Sequence, residues 1–229
     1  EIYLELQAKG ALNINLVTPT HYAPHARVAL DLARAQGMDL PIVWNTSGYE
    51  TVRSIRENQG YADVYLADFK YASRKLAARY SKAPDYPQIA LDAIAAMVDE
   101  VGSPCFDEYE GDERMTRGVV VRHLMLPGAL EDSMRVVRTV WERFGNSVLL
   151  SVMNQYTPVL ADRANDGDAF ARRELKRCPE LSRRVPDGDY ERLLDFADSL
   201  GIDDYFWQEG GAAEESFIPA FDLEGVMSE

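Results

Sequence analysis

Asp68 and Lys70 stand one residue apart where an apolar run, Val64-Tyr65-Leu66-Ala67, comes to an end. Residues i and i+2 of a strand point to the same side. A carboxylate and an ammonium are therefore set side by side at the end of a buried segment. The two can simply neutralise each other or cap the next helix. They can equally grip a ligand that carries charges of both signs. Other apolar runs also end in polar side chains: Thr18, Pro19, Thr20 and His21; Asn45, Thr46, Ser47 and Gly48; Arg122 and His123; Asn154, Gln155 and Tyr156. One anion and two cations among hydroxyls and amides suit a ligand with a carboxylate, an amine and hydroxyls. A lysine in such a place can also serve as a Schiff-base amine, which makes a carbonyl lyase a competing expectation.

Each candidate has a plainer reading. Arg122 can be an interior ion pair. Thr46-Ser47-Gly48 can be a turn that caps the helix after it. His21 and His25 have the i, i+4 spacing of a helical metal pair, but Pro24 between them marks a helix start, so no metal site is expected there. His123 reads as a buried, hydrogen-bonded histidine. Cys105 and Cys178 lie far apart, with no C-x-x-C pair and no disulfide framework. A reducing, cytoplasmic setting is the expectation.

The elements that must position these residues alternate. Apolar, β-branched runs at 12–19, 40–46, 62–70, 117–128 and 147–158 read as strands, and 203–208 as one more. Segments 24–37, 50–58, 73–81, 86–102, 131–145 and 189–201 read as helices. Continuous apolar strands are those of a parallel sheet, and the strand–helix rhythm is that of a (β/α) barrel or a doubly wound sheet. No G-x-G-x-x-G follows the first strand, which lowers the dinucleotide-binding version. Stretches 103–116 and 159–188 read as surface insertions. Ligands of both architectures bind at the carboxyl ends of the strands, where the polar residues above fall.

The chain has 229 residues and a formal net charge of −14. The acidity argues against a general nucleic-acid binder, and no apolar run reaches the roughly 18 residues of a membrane span. It opens without Met on Glu1-Ile2-Tyr3-Leu4-Glu5-Leu6, which reads as the tail of a helix and suggests a piece of a longer protein.

Seven stretches, in order, carry a resemblance: NINLVTPTHYAP, LPIVWNTSGYE, DVYLADFKY, RYSKAPDYPQIA, VVVRHLMLPG, MNQYTP and PELSRRV. Together they resemble the radical S-adenosylmethionine proteins related to pyruvate formate-lyase activating enzyme, in its activase-like branch. The resemblance spans residues 1 to about 210 and implies one α/β domain over 1–210, a partial (β/α)6 TIM-like barrel of parallel strands, with a C-terminal tail at 211–229. It implies S-adenosylmethionine and a [4Fe–4S] cluster as cofactors, held in the family by a C-x3-C-x2-C loop after the first strand. It further implies reductive cleavage to a 5′-deoxyadenosyl radical, an electron donor such as flavodoxin or ferredoxin, and a glycyl-radical-type protein as a possible substrate. The sequence departs from the family at the central point, because it contains no C-x3-C-x2-C. The first barrel strand and cluster loop are therefore expected to be missing, and this chain alone is expected to be inactive. A non-catalytic barrel domain that lost its cluster is the alternative.

By the same resemblance, Asp68 and Lys70 would hold the methionine and ribose part of S-adenosylmethionine. Asn45, Thr46 and Ser47 would meet its ribose and amino-acid end, Arg122 its carboxylate, and Asn154 and Tyr156 its adenine. Where the family often has Gly-Gly-Glu, this chain has Thr18-Pro19-Thr20, so Thr18 and Thr20 are the candidates there.

Overall fold

A computed structural model describes residues 1–109 and 111–207; the tail expected at 211–229 lies outside them. The core is a mostly parallel sheet. Strands β1 (Ile14–Val17), β2 (Ile42–Thr46), β3 (Val64–Asp68), β5 (Asp112–Leu124), β6 (Leu149–Met153) and β7 (Tyr205–Phe206) lie side by side in chain order. Each pairs in parallel with the next. Strand β1 forms one edge. The remaining strand, β4 (Cys105–Tyr109), pairs antiparallel with the first part of β5.

The helices are α1 (Ile2–Ala8), α2 (Ala23–Arg34), α3 (Val52–Arg56), α4 (Arg74–Ser81), α5 (Tyr86–Val101), α6 (Leu130–Phe144), α7 (Val159–Asn165), α8 (Ala169–Arg177) and α9 (Asp187–Ser199). Local chemistry sets several of their ends. Thr51 and Ser73 accept the backbone N–H groups of Ser54 (3.0 Å) and Leu76 (3.3 Å) as N-caps. Pro87 sits in the first turn of α5, where its missing N–H is harmless. In α6 the apolar residues Val136, Val137 and Val140 are buried while Arg135 and Arg138 are exposed, the stripe a surface helix needs.

The helices pack on one face of the sheet. Trp44, Tyr65, Ala67, Val119, Val121, Leu150 and Val152 point to that side and form one core with Ala90, Ile94 and Met97 of α5, Val136 and Val137 of α6, and Leu193 of α9. The opposite face differs. Near the amino ends Val43, Val64, Val120 and Leu149 are buried, but toward the carboxyl ends Asn45, Leu66, Asp68, Arg122 and Met153 are only half-buried, and Val17 is 69% exposed. The expectation of strands buried on both faces thus holds for their amino halves alone. The carboxyl halves alternate, because the helices that cover the sheet, α2 to α6 and α9, lie to one side.

The polar stretch 103–116, read as a surface insertion, forms a β-hairpin. Arg114 pairs with Asp107 at 2.6 Å, lies over the Tyr109 ring, and donates to the Leu12 carbonyl at 3.4 Å. The hairpin therefore reaches back to the far edge of the sheet. Gly118, at φ +126°, is where β5 passes from hairpin to sheet; a Cβ there would meet the Pro104 backbone at 2.7 Å. The stretch 159–188 is helical, holding α7, α8 and a short 3-10 helix at Pro179–Ser182.

Candidate functional site

Asn45, Asp68 and Arg122 are the last or nearly last residues of β2, β3 and β5, and they share the parity of the open face. Asp68 and Arg122 are direct neighbours in the parallel register. Arg122 Nη2 lies 2.7 Å from Asp68 Oδ1 and donates to Asn45 Oδ1 at 2.7 Å. Lys70, two residues past Asp68, returns its Nζ to Asp68 Oδ2 at 2.7 Å. Four of the sequence candidates thus form one connected chain, Asn45–Arg122–Asp68–Lys70, across three strand ends.

Its electrostatics are unbalanced. One carboxylate faces two cations, a local charge of +1 on a chain whose total is −14. Asp68 is the least exposed side chain of the three charged groups at 18%, Arg122 follows at 24% and Lys70 is the most open at 40%. Arg122 directs Nη2 to both protein partners, while its buried Nε has no hydrogen-bond partner among the described residues. A buried, unsatisfied donor costs about 1–3 kcal/mol. The part of the side chain that stays open, 24% of it, is what a ligand could reach.

The other candidates fall elsewhere. Thr46 and Thr20 both donate to Oε1 of Glu50, Thr46 at 2.7 Å. Glu50 is buried, and Ser54 donates to its other oxygen at 3.2 Å. Thr46, one residue from Asn45, thus projects to the helix-covered face. Ser47 is exposed, and its carbonyl accepts from the Tyr86 hydroxyl at 2.9 Å. Thr18 is exposed and left-handed at φ 52°, and its backbone N–H donates to the Asn45 carbonyl. Asn154 is half-buried, just past β6. Tyr156 donates to the Leu181 carbonyl at 2.8 Å and lines a separate apolar hollow with Tyr71, Tyr80, Leu126 and Leu160.

Three residues that sequence reasoning missed hold the segment carrying Lys70. Tyr86 and Asp132 contact its backbone, and Glu50 anchors the loop beside it. Asp132, buried in the first turn of α6, accepts the Ala72 N–H at 3.1 Å. His123, read as a satisfied interior residue, is fully buried, and Nδ1 donates to the Phe69 carbonyl at 3.0 Å. Burial lowers its pKa, so it is neutral, and its Nε2 has no partner among the described residues. The position of Pro87 after Tyr86 was a signal, since it places Tyr86 at the mouth of α5.

Cys105 and Cys178 are both free thiols; Arg79 Nε donates to Cys178 at 3.4 Å. Among the described residues no group of three or more His, Cys, Asp or Glu side chains could hold a metal ion, and no helix is long and apolar enough to cross a membrane.

These features define an α/β protein with a parallel sheet, helices on one face, and a charged cluster at the strand ends of the other. No family model matches the chain. It is similar, at 25% identity over 193 residues, to an uncharacterized protein of Methanocaldococcus jannaschii. That match covers 83% of this chain and 47% of the archaeal protein, so the chain spans about half the length of the curated relative it matches.

Proposed function

We propose that the open face binds S-adenosylmethionine, and that the chain is the ligand-holding part of a radical S-adenosylmethionine protein built on an open, partial (β/α)6 barrel. The observation that carries this reading is the Asn45–Arg122–Asp68–Lys70 chain at three adjacent strand ends. Strands in chain order with helices on one face are what a partial barrel requires, and its concave side is where a ligand sits.

The residues fit the amino-acid end of S-adenosylmethionine. Its carboxylate suits the exposed part of the Arg122 guanidinium, with Lys70 as a second cation. Asp68 suits its ammonium or the ribose hydroxyls, and Asn45 keeps the guanidinium in the plane of the face. Zwitterion recognition of this kind needs cations and an anion fixed at strand ends before the ligand arrives. Bound S-adenosylmethionine would supply a carbon–sulfur bond that breaks on one-electron reduction. The [4Fe–4S] cluster of the resemblance does not fit the residues of this sequence. Such a cluster needs thiolates gathered in one loop, whereas Cys105 lies on β4 and Cys178 follows α8.

The Schiff-base reading finds less support. Lys70 Nζ is tied to a carboxylate at 2.7 Å and is 40% exposed, whereas a nucleophilic amine is desolvated or set against cations alone. Isothermal titration of the 229-residue chain with S-adenosylmethionine, alongside borohydride trapping with small carbonyl compounds, separates the two. Saturable heat without trapping supports the proposal; trapping at Lys70, or no binding, overturns it.

A further inference from the structure

Asp68 and Lys70 belong to a segment, Asp68–Ala72, that has almost left the sheet. Its last strand-to-strand bond runs from Phe69 N–H to the Arg122 carbonyl at 2.9 Å. Beyond that, side chains from other elements hold its backbone. His123 grips the Phe69 carbonyl and Asp132 the Ala72 N–H. Between them stands Tyr86. Its hydroxyl accepts the Lys70 N–H at 3.0 Å and lies 2.8 Å from the Asp68 carbonyl and 2.9 Å from the Ser47 carbonyl. A phenol has one hydrogen, so the two carbonyls share it.

The ring leaves this hydroxyl little freedom. Tyr86 is 3% exposed. It stacks on Tyr49 and Phe69, with centroids 5.8 and 6.5 Å away, and meets Tyr71 edge-on at 5.6 Å. Burial raises the pKa of the phenol, so it stays a protonated donor. The seam it spans is tight: a Cβ on Gly48 would lie 2.2 Å from the Asp68 carbonyl oxygen.

Building on the ligand site proposed above, we propose that Tyr86 is a positioning residue of that site. Its hydroxyl fixes the backbone from which Asp68 and Lys70 present their charges, and ties it to the loop after β2, next to Asn45. Tyr86 touches no ligand in this account. It holds the Asp68 anion and the Lys70 cation in one geometry, and a small misplacement of such groups weakens recognition sharply.

Tyr86→Phe keeps the ring stack and removes only the hydroxyl. It is expected to keep cooperative unfolding and to speed amide exchange at Lys70 with α5 unchanged. Affinity for S-adenosylmethionine should fall by about tenfold, on the scale of one lost orienting contact. In a Lys70→Met background the same change should cost less, because the part that acts through Lys70 is already gone while Asp68 is still held by the hydroxyl. Tyr86→4-aminophenylalanine, which restores a donor, should recover most of the affinity. A folded Tyr86→Phe that binds as tightly as the wild type, or whose loss is undiminished beside Lys70→Met, overturns the proposal. If the wild type binds no S-adenosylmethionine, the ligand reading fails instead. Exchange at Lys70 still decides the clamp, and unchanged exchange in Tyr86→Phe overturns it.

Discussion

Asp68 is the shared anion of the cluster, and its removal must hurt more than removal of either cation. In Asp68→Asn the charge that joins Arg122 Nη2 and Lys70 Nζ, both at 2.7 Å, disappears. Two cations then face each other across one neutral amide oxygen, and the charged partner that Arg122 had beside Asn45 Oδ1 is lost. A charge-assisted hydrogen bond to a partly buried group contributes about 1.5–3 kcal/mol, so Asp68→Asn is expected to lose about 2–3 kcal/mol. In Arg122→Met the carboxylate retains Lys70 and an unsatisfied Nε is removed as well, which brings the loss to about 1–2 kcal/mol. In Lys70→Met the broken pair is 40% exposed on the lysine side, and exposed pairs contribute about 0.2–1 kcal/mol. Urea unfolding with a common slope reads all three. The order Asp68→Asn, Arg122→Met, Lys70→Met should hold. A Lys70→Met as damaging as Asp68→Asn, or a neutral Asp68→Asn, would refute the view of Asp68 as hub.

Burial pushes the Glu100 carboxyl up to about 7 from its ordinary 4.5, and one of its oxygens is buried without a partner among the described residues. The folded state therefore holds a proton that the unfolded state releases, and stability declines as pH rises from about 4.5 to about 7. The full shift corresponds to roughly 3 kcal/mol; since the side chain is only half-buried, about 1–2 kcal/mol is expected. Glu100→Gln should flatten the decline and stabilise the protein by that amount at pH 8, read by thermal unfolding across pH 5–8; an unchanged profile contradicts it. Gly48→Ala places a Cβ against the Asp68 carbonyl in a left-handed backbone at φ +74°. It should lower stability by about 2 kcal/mol or more in urea unfolding, and a loss under about 0.5 kcal/mol would show that the seam yields. Anaerobic reconstitution of this chain with iron and sulfide should leave no cluster and yield no 5′-deoxyadenosine; a cluster bound by Cys105 or Cys178 would contradict the residue fit.

Much of the sheet was legible because its strands are apolar runs separated by helical periodicity, and the pairing follows chain order. The open-face set was legible by parity: Asn45, Asp68 and Arg122 each fall two residues from a neighbour on the same face. The same rule separates Thr46 from Asn45, and reading Asn45-Thr46-Ser47 as one polar turn hid that split. Tyr86, Asp132 and Glu50 were not legible. Tyr86 and Asp132 bind backbone groups of a loop 16 to 60 residues away, and Glu50 joins the hydroxyls of Thr46 and Ser54 to that of Thr20, 30 residues before it. No local pattern encodes such pairings. The hairpin at 105–116 escaped because its charges pair across the two strands, as Arg114 does with Asp107, and so resemble a solvated loop. Gly118 within an apolar run was the signal of the bend.

The most direct measurement is the NMR resonance of the Arg122 side-chain Nε–H, assigned by its loss in Arg122→Lys. Its nitrogen is buried and lacks a partner among the described residues, so it reports changes around the guanidinium, and a ligand carboxylate on the exposed part of that group should move it more than any other arginine signal. Titration with S-adenosylmethionine is predicted to shift the Arg122 Nε–H saturably, with the Lys70 amide following. Saturation of the protein with S-adenosylmethionine while the Arg122 signal stays in place would contradict the account.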